Sequence, residues 1–220
     1  MLGGGSMTGS LKELAPRFEK ATGHKLDMTF AATPELIKMA TSAPFDLGIV
    51  PVDVMKDAGA KAKFAATTDI ARIGYAVAVR AGAPKPDVST PDALKQTLLN
   101  AQSVTFLPES AAGAYVIKVF ERLGIADAMK VKTKAQTAAA GIAPAVAKGE
   151  AELGVFTESV LIAPGVELAG PFPGDLQQEL VFVGGVAADS KDAAAAKAFL
   201  DYLKTPEATA VFKDKGIKPG

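Results

Sequence analysis

Strand-like and helix-like patterns alternate along this chain from one end to the other. "LKELAPRFEKATG" places Leu11, Leu14, Ala15 and Phe18 on one helical face, with Gly23 as the C′ stop. Pro16 inside that pattern predicts a kink or a late start. "KLDMTFAA" reads as a strand, "TPELIKMATS" as a short helix and "FDLGIVPV" as a buried strand. A short helix near "DVMKDAGA" precedes the longest extended run, "ARIGYAVAVRAG". The helix "TPDALKQTLLNA", the strand "SVTFLP" and the helix "AGAYVIKVFERLG" follow, the last with Val116, Ile117, Phe120 and Leu123 expected inward. "AAGIAPAVAKGE" predicts a helix disturbed by Pro144, while "AELGVFT" and "ELVFVGGVA" predict strands. "KDAAAAKAFLDYLKT" and "TPEATAVFKDKG" close the chain as helices. Such alternation argues for an α/β fold of mostly parallel sheets covered on both faces.

A length of 220 residues fits one large domain or two small ones, each with its own core. Lys+Arg and Asp+Glu are both 24, so the net charge is zero. With no basic face to neutralise phosphates, and no tryptophan or aromatic-basic runs for stacking, no nucleic-acid partner is expected. The absence of cysteine excludes disulfides, thiolate catalysis and Cys-ligated metal. The single histidine, His24, lies in a helix-to-strand turn and cannot build a metal site alone, so no metal or cofactor is expected. No apolar run approaches the ~20 residues of a transmembrane helix.

The first strand-to-helix turn, "MLGGGSMTGS", is unusually rich in glycine and hydroxyls. Gly3, Gly5 and Gly9 echo a dinucleotide fingerprint, but the acid expected at the end of the second strand is missing, because Asp27 opens that strand. A hydrolase elbow fails because Thr8 stands where the second glycine is required, and a P-loop fails for want of Gly-Lys-Ser/Thr. Two readings remain: glycines serving close packing, or a free anion held at a helix start with Ser6 as an added donor. One further device recurs. Thr33-Pro34-Glu35, Thr90-Pro91-Asp92 and Thr205-Pro206-Glu207 each read as an N-cap threonine, a proline at N1 and an acid in the first turn.

"GGGSMTGSLKELAPRFEKATG", "FAATPELIKMATSAPFDLGIVP", "PESAAGAYVIKVFERLGIAD", "AVAKGEAELGVFTESV" and "KAFLDYLKTPEATAVFKDKGI" together resemble the periplasmic solute-binding proteins of bacterial ABC importers. The resemblance covers nearly the whole chain and is nearest to the molybdate/tungstate-binding branch. It implies a two-lobed periplasmic binding protein fold (type II), with the ligand in the cleft between the lobes. Residues 1–75 with 182–220 would form the first lobe and 76–181 the second, joined by crossovers in "IGYAVAV" and "LVFVGGV". The first strand is very short before its turn, as if a leader had been cut away and a start Met added. A periplasmic monomer that delivers a small anion to an importer permease is the expectation.

In that branch the oxyanion is held by two hydroxyls, two backbone amides at helix starts and a tyrosine hydroxyl. Carried over, the hydroxyls fall on Ser6 and Thr33, the amides on Ala112 and Ala139, and the tyrosine position on Thr157. Threonine for tyrosine is a departure, and the "PESAAG" loop is one residue shorter than the pattern. Both open the site to a different or larger anion, such as a small carboxylate. Arg72 reads as a solvated strand-end charge or a carboxylate partner, and Ser110 as a ligand donor or a shaper of its turn. No general base accompanies Ser6, so recognition without catalysis is expected. The ligand-sensing domain of a regulator is the rival, although no DNA-binding segment is present.

Overall fold

In the computed structural model, which describes residues 1–220, the first passage of chain holds β1 (Leu2–Gly4), α1 (Thr8–Thr22), β2 (Thr29–Ala31), α2 (Thr33–Ser42), β3 (Leu47–Pro51), α3 (Ala58–Lys61) and β4 (Phe64–Ile73). The middle holds β5 (Tyr75–Arg80), α4 (Pro91–Asn100), β6 (Val104–Phe106), α5 (Ala111–Arg122), α6 (Ala126–Lys132), β7 (Thr133–Ala135), α7 (Ile142–Ala147), β8 (Leu153–Thr157), α8 (Glu158–Leu161) and β9 (Val166–Pro171). The chain closes with β10 (Leu180–Ala187), α9 (Ala193–Tyr202), α10 (Pro206–Asp214) and β11 (Ile217–Pro219). It divides into two units, Met1–Arg72 with Leu180–Gly220, and Ile73–Glu179.

The first unit is built on a six-stranded sheet in the order β11-β4-β10-β3-β1-β2. β1 runs parallel to both β2 and β3, and β10 runs antiparallel to β3. Leu2, Leu36, Val50, Val54, Phe64 and Val183 form a buried cluster in which α2 covers the sheet. Leu11, Leu14, Ala15 and Phe18 of α1 are all buried, as their spacing predicts. Phe18 meets Phe199 of α9 edge-on at 5.0 Å. Burial of each leucine and phenylalanine contributes about 1.5–3 kcal/mol, which supports a helix that continues through Pro16. The helix starts at Thr8, so the late start predicted from Pro16 does not occur. It ends as read, with Gly23 left-handed at φ 78° and its N–H donating to the Glu19 carbonyl at 2.8 Å.

The second unit carries a five-stranded sheet, β7-β6-β8-β5-β9, with β6 parallel to β7 and β8, and β5 antiparallel to β8 and β9. In α5 the inward face is Ala112, Tyr115, Val116, Val119 and Phe120, while Ile117 is exposed. The expected inward positions of Ile117 and Leu123 are therefore corrected. The apolar stripe is centred about one residue earlier, and Leu123 is only partly buried past the helix end. The long run "ARIGYAVAVRAG" is likewise two strands, broken at Gly74. No helix is long and apolar enough to cross a membrane.

Candidate functional site

In each unit the three mutually parallel strands end at the same edge of their sheet, the edge outside which open α/β sheets bind ligands. In the first unit that edge is formed by the turns after β1, β2 and β3, with Ser6 following the middle strand. Gly3 and Gly4 precede it for a packing reason. A Cβ on Gly3 would stand 2.6 Å from Phe30 Cε1, and one on Gly4 would stand 2.5 Å from Phe182 Cε1. The close-packing reading therefore accounts for two of the three glycines. The turn Gly5–Met7 is a single 3-10 turn, and it buries Ser6.

Neighbouring hydroxyls point backward. Thr8 Oγ1 donates to the Gly5 carbonyl at 2.8 Å, and Ser10 Oγ to the Met7 carbonyl at 3.0 Å. Ser6 does not occupy an N-cap position: Gly4 stands before the 3-10 turn and Met7 before α1. Thr33 differs from its two look-alikes in the same way. Thr90 and Thr205 cap by accepting from Ala93 N at 3.1 Å and Ala208 N at 3.3 Å. At Thr33 the helix begins one residue earlier, because the Ala32 carbonyl takes the first helical bond, from Leu36 N at 2.9 Å. Ala32 is thus the N-cap and Thr33 the first helical residue, a correction to its reading as a cap.

In the second unit the same edge holds Leu107–Ala112, Gln136–Ala139 and Thr157–Glu158. Ser110 caps α5: its Oγ accepts from Gly113 N at 2.9 Å and donates to the Leu107 carbonyl at 2.9 Å. With its only proton committed, Ser110 shapes the turn. Gly113 seals that turn, since a Cβ there would lie 1.8 Å from the Leu107 oxygen. The cap engages the third helical N–H; the buried Ala112 is the second helical residue, and its N–H precedes the first intrahelical donor, Ala114 N, which reaches the Ser110 carbonyl at 2.9 Å. Ala139, also buried, opens the 3-10 turn Ala139–Gly141 that runs into α7.

Gln136, which the sequence reading passed over, anchors the approach to that turn. Its N–H donates to the Phe106 carbonyl at 2.9 Å, and its Nε2 donates to Thr105 Oγ1 at 3.0 Å. Thr157 ends β8 with no solvent exposure and stands opposite Tyr75 on β5. Tyr75 lies 4.8 Å from the ring of Tyr115 and 5.7 Å from that of Phe172. Burial pushes the Tyr115 hydroxyl pKa above its ordinary value, and the group donates to the Leu176 carbonyl at 2.8 Å. Thus an aromatic cluster flanks the position where the family pattern has a tyrosine.

The charged residues of these six edge segments are Asp53, Lys56, Glu109 and Glu158. Asp53 is paired with Lys56 at 2.5 Å. Arg72 pairs with Asp69 at 2.7 Å, both side chains being nearly half exposed, as its solvated reading anticipates. His24 is exposed beside Phe18. Each edge, taken by itself, therefore carries hydroxyl residues and helix starts, and the one cation, Lys56, is paired with Asp53.

Two mixed sheets flanked by helices, each with a donor-bearing carboxyl edge, are the parts of a solute-binding protein. The chain belongs to the family described as bacterial extracellular solute-binding protein, which it matches over residues 1–218. Among its relatives is the molybdate-binding protein ModA of Azotobacter vinelandii, 31% identical with 96% of this chain and 86% of that protein covered. Another is an aconitate isomerase from a Pseudomonas species, 36% identical over 100% of this chain and 87% of the relative. The solved structure of an Azotobacter vinelandii periplasmic molybdate-binding protein superposes with a TM-score of 0.80 at 19% identity, covering 98% of this chain and 96% of that one.

Proposed function

We propose that this protein captures a small, multiply charged anion in the periplasm and presents it to the permease of an ABC importer. The observation that carries the reading is the place of Ser6: a hydroxyl residue buried in the turn after the middle parallel strand, at the carboxyl edge of the sheet. The proposed donors are the Ser6 and Thr33 hydroxyls, the Ala112 and Ala139 amides, and Thr157. An anion leaving water loses several kcal/mol of hydration even after relaxation. Each hydrogen bond to a charged group returns about 1.5–3 kcal/mol, so five donors support micromolar or tighter binding after ordering costs. The backbone N–H groups among them cannot accept a hydrogen bond from a protonated ligand and so favour fully ionised anions.

A molybdate-like oxyanion is the first ligand reading, supported by the ModA relatives. A second is favoured by Thr157 in place of the tyrosine and by the relative named aconitate isomerase. In that reading the ligand is an unsaturated tricarboxylate, which the protein also isomerises.

A thermal-shift panel of molybdate, tungstate, sulfate, phosphate, citrate and cis-aconitate, with neutral sugars and cationic solutes beside them, tests the proposal. A ligand at a hundred times its dissociation constant stabilises the fold by roughly 2.7 kcal/mol. At least one anion is expected to raise the melting temperature. A panel in which only neutral sugars or cations do so would overturn the anion reading.

A further inference from the structure

The carboxyl edge of the second unit holds two acids, the exposed Glu109 and the partly buried Glu158, and simple capture of an anion requires neither. Glu158 directly follows Thr157, the buried end of β8. Its backbone N–H donates to the Gly74 carbonyl at 2.9 Å, which fixes the residue against the segment entering β5. Its carboxylate lies over Gly74. A Cβ added there would stand 3.1 Å from Glu158 Oε1 and 3.3 Å from Gln177 Nε2, so the glycine leaves the acid its place. That platform is itself tied down. Gln177 accepts from Tyr75 N at 2.9 Å and donates to the Tyr75 carbonyl at 2.9 Å, and Phe172 N donates to the same carbonyl at 2.9 Å. A partly buried carboxyl group on a fixed mount, next to neutral donors, has the attributes of a proton-transfer group.

We infer that Glu158 carries the proton in an allylic isomerisation of an aconitate-type tricarboxylate, an inference that rests on the second reading above. The substrate has a CH2 group bonded to a carbon that forms a C=C with the next carbon. The Glu158 carboxylate takes a proton from the CH2. The C–H electron pair spreads over the three allylic carbons and into the attached carboxylates. Helix-start N–H groups, those of Ala112 and Ala139 among them, stabilise the oxygens on which negative charge builds. Glu158, now protonated, returns the proton to the far allylic carbon, and the double bond has moved by one position. The rotamer about the original single bond sets whether the new double bond is cis or trans. Atoms and electrons balance with no oxidant or reductant, and the glutamate is regenerated.

The test uses the full chain and cis-aconitate. Calorimetry measures binding, and proton NMR follows the appearance of trans-aconitate. The expected result is conversion by the wild type and, for Glu158→Gln, a kcat lower by about 10²–10⁴-fold with binding and melting temperature nearly unchanged. Gly74→Ala, which displaces the carboxylate without removing it, is expected to lower kcat more than it raises KM. Turnover by Glu158→Gln at the wild-type rate would overturn the inference. Binding of cis-aconitate without conversion would overturn it too, leaving the anion reading intact. Binding of molybdate but not of cis-aconitate would remove the carboxylate reading and this inference together.

Discussion

The two units repeat one plan and finish it differently. Each has a middle parallel strand (β1 or β6) flanked by a second (β2 or β7) and a third (β3 or β8), with an antiparallel strand beyond the third (β10 or β5). After the middle strand the first unit places Ser6 and the second places Ser110. Ser110 is the N-cap of α5 and is committed in both directions, whereas Ser6 does not occupy an N-cap position. In the proposed reading the first unit contributes side-chain hydroxyls, those of Ser6 and Thr33. The second contributes backbone N–H groups whose directions are set by the fold. The same residue type at the same topological place thus takes different positions relative to the helix that follows it.

The sharpest way to break this comparison is to unlock the rigid side. Gly113→Ala places a methyl 1.8 Å from the Leu107 oxygen, and backbone cannot yield there as a side chain would. Overpacking costs typically 1–3 kcal/mol and here is expected to reach at least ~3 kcal/mol, read from urea denaturation. On the first unit, Gly4→Ala meets the Phe182 ring and Pro51, and a movable ring limits the loss to roughly 1–3 kcal/mol. Equal losses would mean that the turn before α5 is no more rigid than the one before α1.

Next in size is a crossed pair of serine variants. Ser6→Ala is expected to weaken anion binding by about 10-fold to 150-fold, the worth of one hydrogen bond to a charge, with little change in stability. Ser110→Ala is expected to cost about 1 kcal/mol of stability through the lost cap. Calorimetry beside denaturation separates the two, and a stability loss for Ser6→Ala matching that of Ser110→Ala would erase the distinction. Thr33→Ala and Thr90→Ala repeat the contrast at smaller scale. Only Thr90, which caps α4, is expected to lose stability, by ~1 kcal/mol.

What was legible in the sequence follows the range of the interactions. Gly23 as a helix stop and Thr90 and Thr205 as caps involve partners within a few residues, so their signals are local. The core face of α1 was equally plain, because its period is carried by large residues. β7 and β11, three residues each, are held by their sheet neighbours and leave no pattern of their own. The six-residue β9 hides in a Pro/Gly-rich passage. Thr33 was read as a cap because its Thr-Pro-acid motif matches Thr90 and Thr205, but α2 begins one residue earlier. At the site, Ser6 was visible from its glycine-rich turn. Gln136, Gln177 and Glu158 were not, since each acts on backbone or side chains brought close only by the sheet.

The smallest effect concerns the opposite edge of the first unit, and it sharpens the comparison through pH. Asp46, just before β3, accepts from the Ser190 hydroxyl at 2.8 Å and from Lys191 N at 3.1 Å. The Ser190 hydrogen bond, and after it the backbone N–H bonds of the following loop, hold its carboxyl below the usual range against a partial desolvation that acts the other way. A carboxyl group depressed in the folded state stabilises it above the unfolded-state pKa, and that contribution fades as pH falls through the lower folded value. Asp46→Asn is therefore expected to be modestly less stable than the wild type at neutral pH and to converge with it in acid. Urea midpoints at several pH values measure the gap. Because Asp46 lies at the amino edge, away from Ser6 and Thr33, anion affinity at neutral pH should be unchanged in the same variant. A gap that persists in acid would mean that the Ser190 loop is held by shape rather than by the charge on Asp46.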